Sequence, residues 1–183
     1  MGLISSVNLQ SLKKDLILTI VTVNDVAANS IQSKSVADQI IKLGRRAIVI
    51  SCDVSDSIAV DAMLCEIVKE FKRLDVCCAN AGVARVGSLL NSTPEERKLI
   101  FDINLHGVMN TSIAAAKQMK LQGTGKHKIS LNGSQLKSAT QGGRIIPTVS
   151  IVAIRPFPML STYSASKWAV KGFVQVRHAI GRF

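Results

Sequence analysis

Short β-branched apolar runs alternate along this chain with amphipathic stretches of ten to twenty residues, and that alternation leaves few folds open. Leu16-Ile17-Leu18-Thr19-Ile20-Val21-Thr22-Val23 reads as a buried strand closed by Asn24-Asp25. Ser33 to Leu43 places Val36, Ile40 and Leu43 at helical spacing, with Gly44 as the stop. Ala47 to Ile50 is a second strand, Ser57 to Lys72 a helix with Met63, Ile67 and Phe71 on one side, and Leu74 to Ala79 a third strand. Thr93-Pro94-Glu95-Glu96 carries a capping threonine, a proline at the first helical position and acids in the first turn. A long helix is expected from about Asp102 to Leu121, a fourth strand from Arg144 to Ser150, and a helix from Ser161 to Gly172 or beyond.

Strands that alternate with helices in this way form a parallel sheet covered on both faces. In such α/β sheets, ligands bind outside the carboxyl ends of the strands. Asp25, Asp53, Asn80 and Ser150 each stand at or just beyond the carboxyl end of an expected strand. Four polar residues thus converge on one edge. Asp25 suits the two hydroxyls of an adenosine ribose, and equally a loop turn. Asp53 with Val54 suits an adenine edge, and equally a helix cap. Asn80-Ala81-Gly82 lets backbone approach a ligand closely, though alone it is a turn. Asn104 falls within an expected helix, where asparagine is a mediocre former, so it is either held there by a partner or simply faces solvent.

The segment Ser161-Thr162-Tyr163-Ser164-Ala165-Ser166-Lys167 is a candidate for the chemistry, although Tyr-x-x-x-Lys alone recurs by chance and equally makes plain surface helix. Tyr163 and Lys167 lie four apart and share one helical face. An ammonium beside a phenol favours the phenolate, which suits a general acid or base. The hydroxyl of Ser150, thirteen residues earlier, suits hydrogen bonding to an oxygen on which charge develops.

Length and charge bound the alternatives. With 183 residues, one domain with a substantial core is expected. The net charge of +11 is unevenly placed: no acid follows Asp102, while eleven Lys and Arg do. These are scattered, with few aromatics between them for base stacking, so nucleic-acid binding is a minor alternative. The longest apolar run is too short to span a bilayer, and no leader pattern opens the chain, which gives a cytoplasmic expectation and no membrane partner. Cys52, Cys65, Cys77 and Cys78 form no Cys-x-x-Cys pair and read as buried thiols. His106, His127 and His178 lack metal-ligand spacing, so no metal is expected.

Asp53-Val54, Asn80-Ala81-Gly82, Asn104, Ser150 and Tyr163-Ser164-Ala165-Ser166-Lys167 together resemble the short-chain dehydrogenase/reductase family, from about Asp15 to Gln175. The stretch Phe157 to Lys167, with Val36-Ala37-Asp38-Gln39-Ile40, is similar to its diacetyl/acetoin reductase branch, the 2,3-butanediol dehydrogenases. The resemblance implies a Rossmann-like doubly wound sheet and NAD(P)-dependent interconversion of a small carbonyl and a secondary alcohol. Tyr163 would exchange the proton, Ser150 position the carbonyl, and Asn104 anchor a water leading protons to Lys167. Lys167 would hold the nicotinamide ribose. Asp25, Asp53, Val54, Asn80, Ala81 and Gly82, with Tyr163 and Lys167, would line the cofactor. Asp25 would repel a 2′-phosphate, favouring NAD over NADP. Packing of the helices around Asn104 and Tyr163 between subunits implies a homo-oligomer, a dimer or tetramer.

The chain also departs from that pattern. The family opens with a strand and a Thr-Gly-x-x-x-Gly-x-Gly loop that receives the pyrophosphate, whereas the first fifteen residues here hold one glycine, Gly2. The family continues with strands beyond the point where this chain stops, at Phe183. The polar, basic stretch 126–142 is expected to be an inserted, structureless loop, and Pro147 sits awkwardly in a central strand. These departures predict weak or absent NADH binding, and a catalytically inactive remnant that only associates with family members is the alternative reading.

Overall fold

A computed structural model of the protein describes residues 20–26, 29–123, 127–131, 134–138 and 143–179. In chain order the elements are β1 (Ile20–Asp25), α1 (Ser30–Lys42), β2 (Arg46–Ser51), α2 (Ser57–Phe71), β3 (Val76–Ala79), α3 (Pro94–Phe101), α4 (Val108–Leu121), β4 (His127–Leu131), β5 (Ser134–Ser138), β6 (Arg144–Pro147) and α5 (Ser161–Ala179). A π-helical turn, Asp102–Gly107, joins α3 to α4 without a break. Single 3-10 turns cover Leu89–Asn91 and Ile151–Ala153.

The alternation places strands in parallel, as expected. β1 pairs with β2 from Ile20↔Arg46 to Asp25↔Ser51, and β3 pairs with β6 from Val76↔Arg144 to Ala79↔Pro147. Among the described residues these two ladders do not hydrogen-bond to each other. They are joined instead by one core, in which Ile50, Cys52 and Val54 meet Cys77, Ile145 and the inner faces of α2 and α4. Helix α2 buries Val60, Met63, Leu64 and Ile67, the three-and-four spacing of a single apolar stripe. Its ends follow local rules. Asp56 caps it by accepting from Ile58 N and Ala59 N, and Lys72 closes it in the left-handed region at φ 69°.

Several boundaries differ from the sequence expectation. The strand expected to close at Asn24-Asp25 includes both residues, so Asp25 is the last residue of β1. Residues 16–19, and the place where a first strand with a glycine-rich loop was missed, lie outside the described residues. The helix expected to start at Thr93-Pro94 does so, with a complete capping box, and runs through the π turn into the stretch expected as a separate helix from Asp102. Thr93 Oγ1 accepts from Glu96 N, and Glu96 returns a carboxylate oxygen to Thr93 N. Pro147 is accommodated as the final residue of β6, and the ladder's next donor is Thr148 N, to Ala79 O at 3.0 Å.

The stretch 126–142 is not structureless where it is described. β4 and β5 pair antiparallel from His127↔Ser138 to Leu131↔Ser134, separated by two residues. Those two are Asn132-Gly133, the dipeptide that most favours a two-residue hairpin connection. Cys52 and Cys77 are buried as expected, but Cys65 and Cys78 are exposed.

Candidate active site

The site grows from the carboxyl ends of the strands. Asp25 ends β1, and the carbonyl of Asp25 accepts from Cys52 N at 3.1 Å, so the chain after β2 runs past it. Asp25 Oδ1 accepts from Val26 N at 2.8 Å and from Asn29 Nδ2 at 3.0 Å. Asp53 Oδ1 accepts from Ser55 N and Ser55 Oγ, at 2.9 and 2.7 Å. Each carboxylate spends one oxygen on its own loop. Val54 instead turns its side chain into the core, where a Cβ placed on Gly107 would lie 2.5 Å from its Cγ2. Only the backbone of Val54 is available at the strand ends, and its carbonyl already accepts from Asn110 Nδ2 at 3.0 Å.

The second pair of strands positions the other half. The Asn80-Ala81-Gly82 turn follows β3, and Thr148 to Ser150 follows β6 alongside it. Asn104 sits inside the π turn with no exposed surface. A π turn carries one residue more than the α pitch allows, so it can swing a single side chain off the helix face. Asn104 uses that freedom fully. Its Oδ1 accepts from Val83 N at 2.7 Å, and its Nδ2 donates to Val83 O at 2.9 Å and Ser166 Oγ at 3.0 Å. Ser166 Oγ then donates to the carbonyl of Tyr163 at 2.7 Å. A buried hydrogen-bonded chain therefore runs from the turn after β3, through the π turn, to the first turn of α5.

Lys167 closes the arrangement. It is only 3% exposed, and its Nζ donates to Thr148 O at 2.9 Å. Burial pushes its pKa below the ordinary lysine value. A Cβ placed on Gly82 would lie 3.2 Å from Asn104 Oδ1 and 3.6 Å from Lys167 Nζ. The bare backbone of Gly82, the amide of Asn104 and the ammonium of Lys167 thus meet at one point. Tyr163 stands one turn before Lys167 on α5 and is partly exposed. Ser150, also partly exposed, begins the 3-10 turn Ile151–Ala153, and its Oγ accepts from Val152 N at 3.4 Å.

Three contributing residues were not singled out in the sequence. Asn110 holds the loop after β2 to α4, Ser166 relays Asn104 to Tyr163, and Thr148 receives Lys167. The argument that flagged Asn104, an asparagine inside a helix, applies equally to Asn110. Among the described residues no cluster of His, Cys, Asp and Glu has the makings of a metal site. No described helix is long and apolar enough to cross a membrane.

Comparison with known proteins agrees with this geometry. The family model for the short chain dehydrogenases matches residues 14–179. A short-chain dehydrogenase/reductase of Armillaria gallica is 33% identical over 156 residues, covering 85% of this chain and 53% of the relative. An L-2,3-butanediol dehydrogenase of Corynebacterium glutamicum is 32% identical over 149 residues, covering 81% of this chain and 49% of the relative. It does not stand apart from relatives with other activities. The crystal structure of a short chain dehydrogenase from Burkholderia cenocepacia in complex with NADP superposes with a TM-score of 0.69 at 31% identity, covering 85% of this chain and 55% of that one. The chain spans about half the length of the curated relatives it matches. On the family match and the superposition alike, this α/β chain of parallel strands flanked by helices belongs to the short-chain dehydrogenase/reductase family.

Proposed function

We propose that the protein is an NAD(P)-dependent oxidoreductase that interconverts a carbonyl compound and a secondary alcohol, with Tyr163 as the general acid and base. The observation that carries this reading is the convergence of Gly82, Asn104 and the buried Lys167 ammonium one helical turn from Tyr163.

The residues present fit a dinucleotide. A methyl group at Gly82 would touch two of the neighbours around it, so only bare backbone leaves room for a flat ring there. Lys167 has three N–H donors and spends one on Thr148 O, which leaves two for ribose hydroxyls. Asp25 has one carboxylate oxygen outside its two loop bonds, which suits the adenosine ribose and disfavours a 2′-phosphate, so NAD is the preferred form. When bound, the dinucleotide exchanges a hydride with the substrate carbon. Tyr163 gives its phenolic proton to the carbonyl oxygen during reduction and takes it back during oxidation. Lys167 favours the negative charge left on that phenol. Ser150 donates its hydroxyl proton to the same substrate oxygen; Val152 N occupies only a lone pair of its Oγ and leaves the O–H free to donate. The side chain of Asn104 is spent on Val83 and Ser166, so any role in passing protons to Lys167 falls to its backbone.

The test is a titration of the purified chain with NADH, followed by addition of diacetyl while NADH absorbance is recorded. Weak but measurable binding is expected, with oxidation that Tyr163→Phe lowers by about 10²-fold or more. Turnover indifferent to Tyr163→Phe would sink the assignment. Binding without turnover would favour the second reading, a family member that associates without catalysing.

A further inference from the structure

The 3-10 turn that Ser150 begins leaves a specific debt of hydrogen bonds. Ser150 O accepts from Ala153 N at 3.0 Å, and Ile151 O accepts from Ile154 N and Arg155 N at 2.9 and 2.8 Å. The next two carbonyls, of Val152 and Ala153, belong to buried residues at 3% and 0% exposure. Buried carbonyls require donors. Both donors come from α5. Trp168 Nε1 donates to Val152 O at 2.9 Å, and Lys171 Nζ donates to Ala153 O at 3.2 Å. Lying three residues apart, they share one helical face, and the Lys171 ammonium sits 4.5 Å from the centre of the Trp168 ring. That contact restrains the lysine, whose free side chain would otherwise sample many rotamers.

We propose that Trp168 and Lys171 are positioning residues that hold the Ile151–Ala153 turn and so fix where Ser150 presents its hydroxyl. The Oγ of Ser150 is oriented by Val152 N, and the far side of the Val152 residue is gripped by Trp168. Tyr163 rides on the same helix, five residues before Trp168. One rigid element therefore sets both hydroxyls that meet the substrate oxygen, and errors in loop conformation between residues 151 and 160 do not reach their separation. This rests on the proposed function for its catalytic consequence, but not for its structural one.

Two measurements separate the two. The first is amide hydrogen exchange in the unmodified chain, Trp168→Phe and Lys171→Met. Trp168→Phe keeps a ring and deletes the donor; Lys171→Met keeps the stem and deletes the charge. Exchange at Ile154 and Arg155 should quicken about tenfold in each, the shift expected from one lost hydrogen bond, while α2 keeps its protection. Lys171→Arg should retain the slow rates. The second is the rate of diacetyl reduction in a cycle with Ser150→Ala. Trp168→Phe should lower kcat about tenfold, leave KM for NADH unchanged, and cost nothing further once Ser150 is alanine. Unchanged exchange at residues 154 and 155 overturns the proposal, as do losses that multiply in the double variant. If the unmodified chain turns over nothing, the proposed function fails, and the exchange measurement alone decides the clamp.

Discussion

Gly82 owes its identity to one neighbour, the Asn104 oxygen, that crowds the place of a methyl group, while Lys167 Nζ at 3.6 Å would be in ordinary contact. The Asn104 oxygen 3.2 Å from where a Cβ would stand is held by Val83 N, and the same amide is held by Val83 O and Ser166. It cannot yield the few tenths of an ångström needed without stretching a buried bond. Gly82→Ala should therefore destabilise the fold by roughly 1–3 kcal/mol, the range for overpacking a tight site. Denaturant unfolding would reveal it, and an unchanged midpoint would show that Asn104 can move. The residue scale is also where the sequence spoke most clearly. Tyr163 and Lys167 stand out only in company with Ser150, Asn104 and the Asn80-Ala81-Gly82 turn, and Asn104 by being a poor helix former in a helix. What the sequence concealed is the partner of each. Asn104 reaches a residue 21 positions earlier and another 62 positions later, and no local pattern encodes such distances.

At the scale of elements, starts and stops were legible because they depend on neighbours in the chain. The Thr93-Pro94-Glu95-Glu96 box begins α3 as read, and Thr93→Ala should cost about 1 kcal/mol through the lost bond to Glu96 N. Thermal unfolding of that variant checks the figure; Thr93→Ser should restore most of it. The π turn was not legible, since Asp102-Ile103-Asn104-Leu105-His106-Gly107 has nothing in it that forbids an ordinary α turn. Tertiary demand creates it: Gly107 must press on Val54 while Asn104 must reach Val83. The β4–β5 hairpin was legible and passed over. Asn132-Gly133 lies between Leu131 and Ser134, with Ile129 and Leu136 paired in register, and the polar, basic composition masked that signal.

For the whole molecule, buried titratable groups set opposing trends in alkaline stability. The Cys77 thiol is pushed by burial from the usual 9.0 up to about 12, with the neighbouring Cys78 adding to the shift. Above pH 9 the unfolded chain loses this proton and the folded one keeps it, so stability falls as pH rises from 9 toward 12. The slope approaches about 1.4 kcal/mol per pH unit for one such group. Cys52, buried and also raised, adds to the same trend. Lys167 works the other way. Its lowered value means that the folded state gives up a proton first, so its contribution rises with pH up to the ordinary lysine value of 10.5. Urea unfolding of Cys77→Ala from pH 8 to 11 should show a flatter decline than the unmodified chain. A parallel decline would mean that the Cys77 thiol ionises freely in the fold. The common core explains why these groups are coupled to global unfolding: Cys52 after β2 and Cys77 in β3 lie in the same cluster.

The amide of Asn104 offers Val83 one acceptor and one donor, which is what a neighbouring strand offers each residue it pairs with. A single side chain thus serves Val83 as a surrogate strand, one residue long, beyond the turn that follows β3. Aspartate in that place supplies only acceptors, and leucine of similar bulk supplies neither. The helix that carries the surrogate takes the π pitch around it, so a helix gives Val83 strand-like pairing.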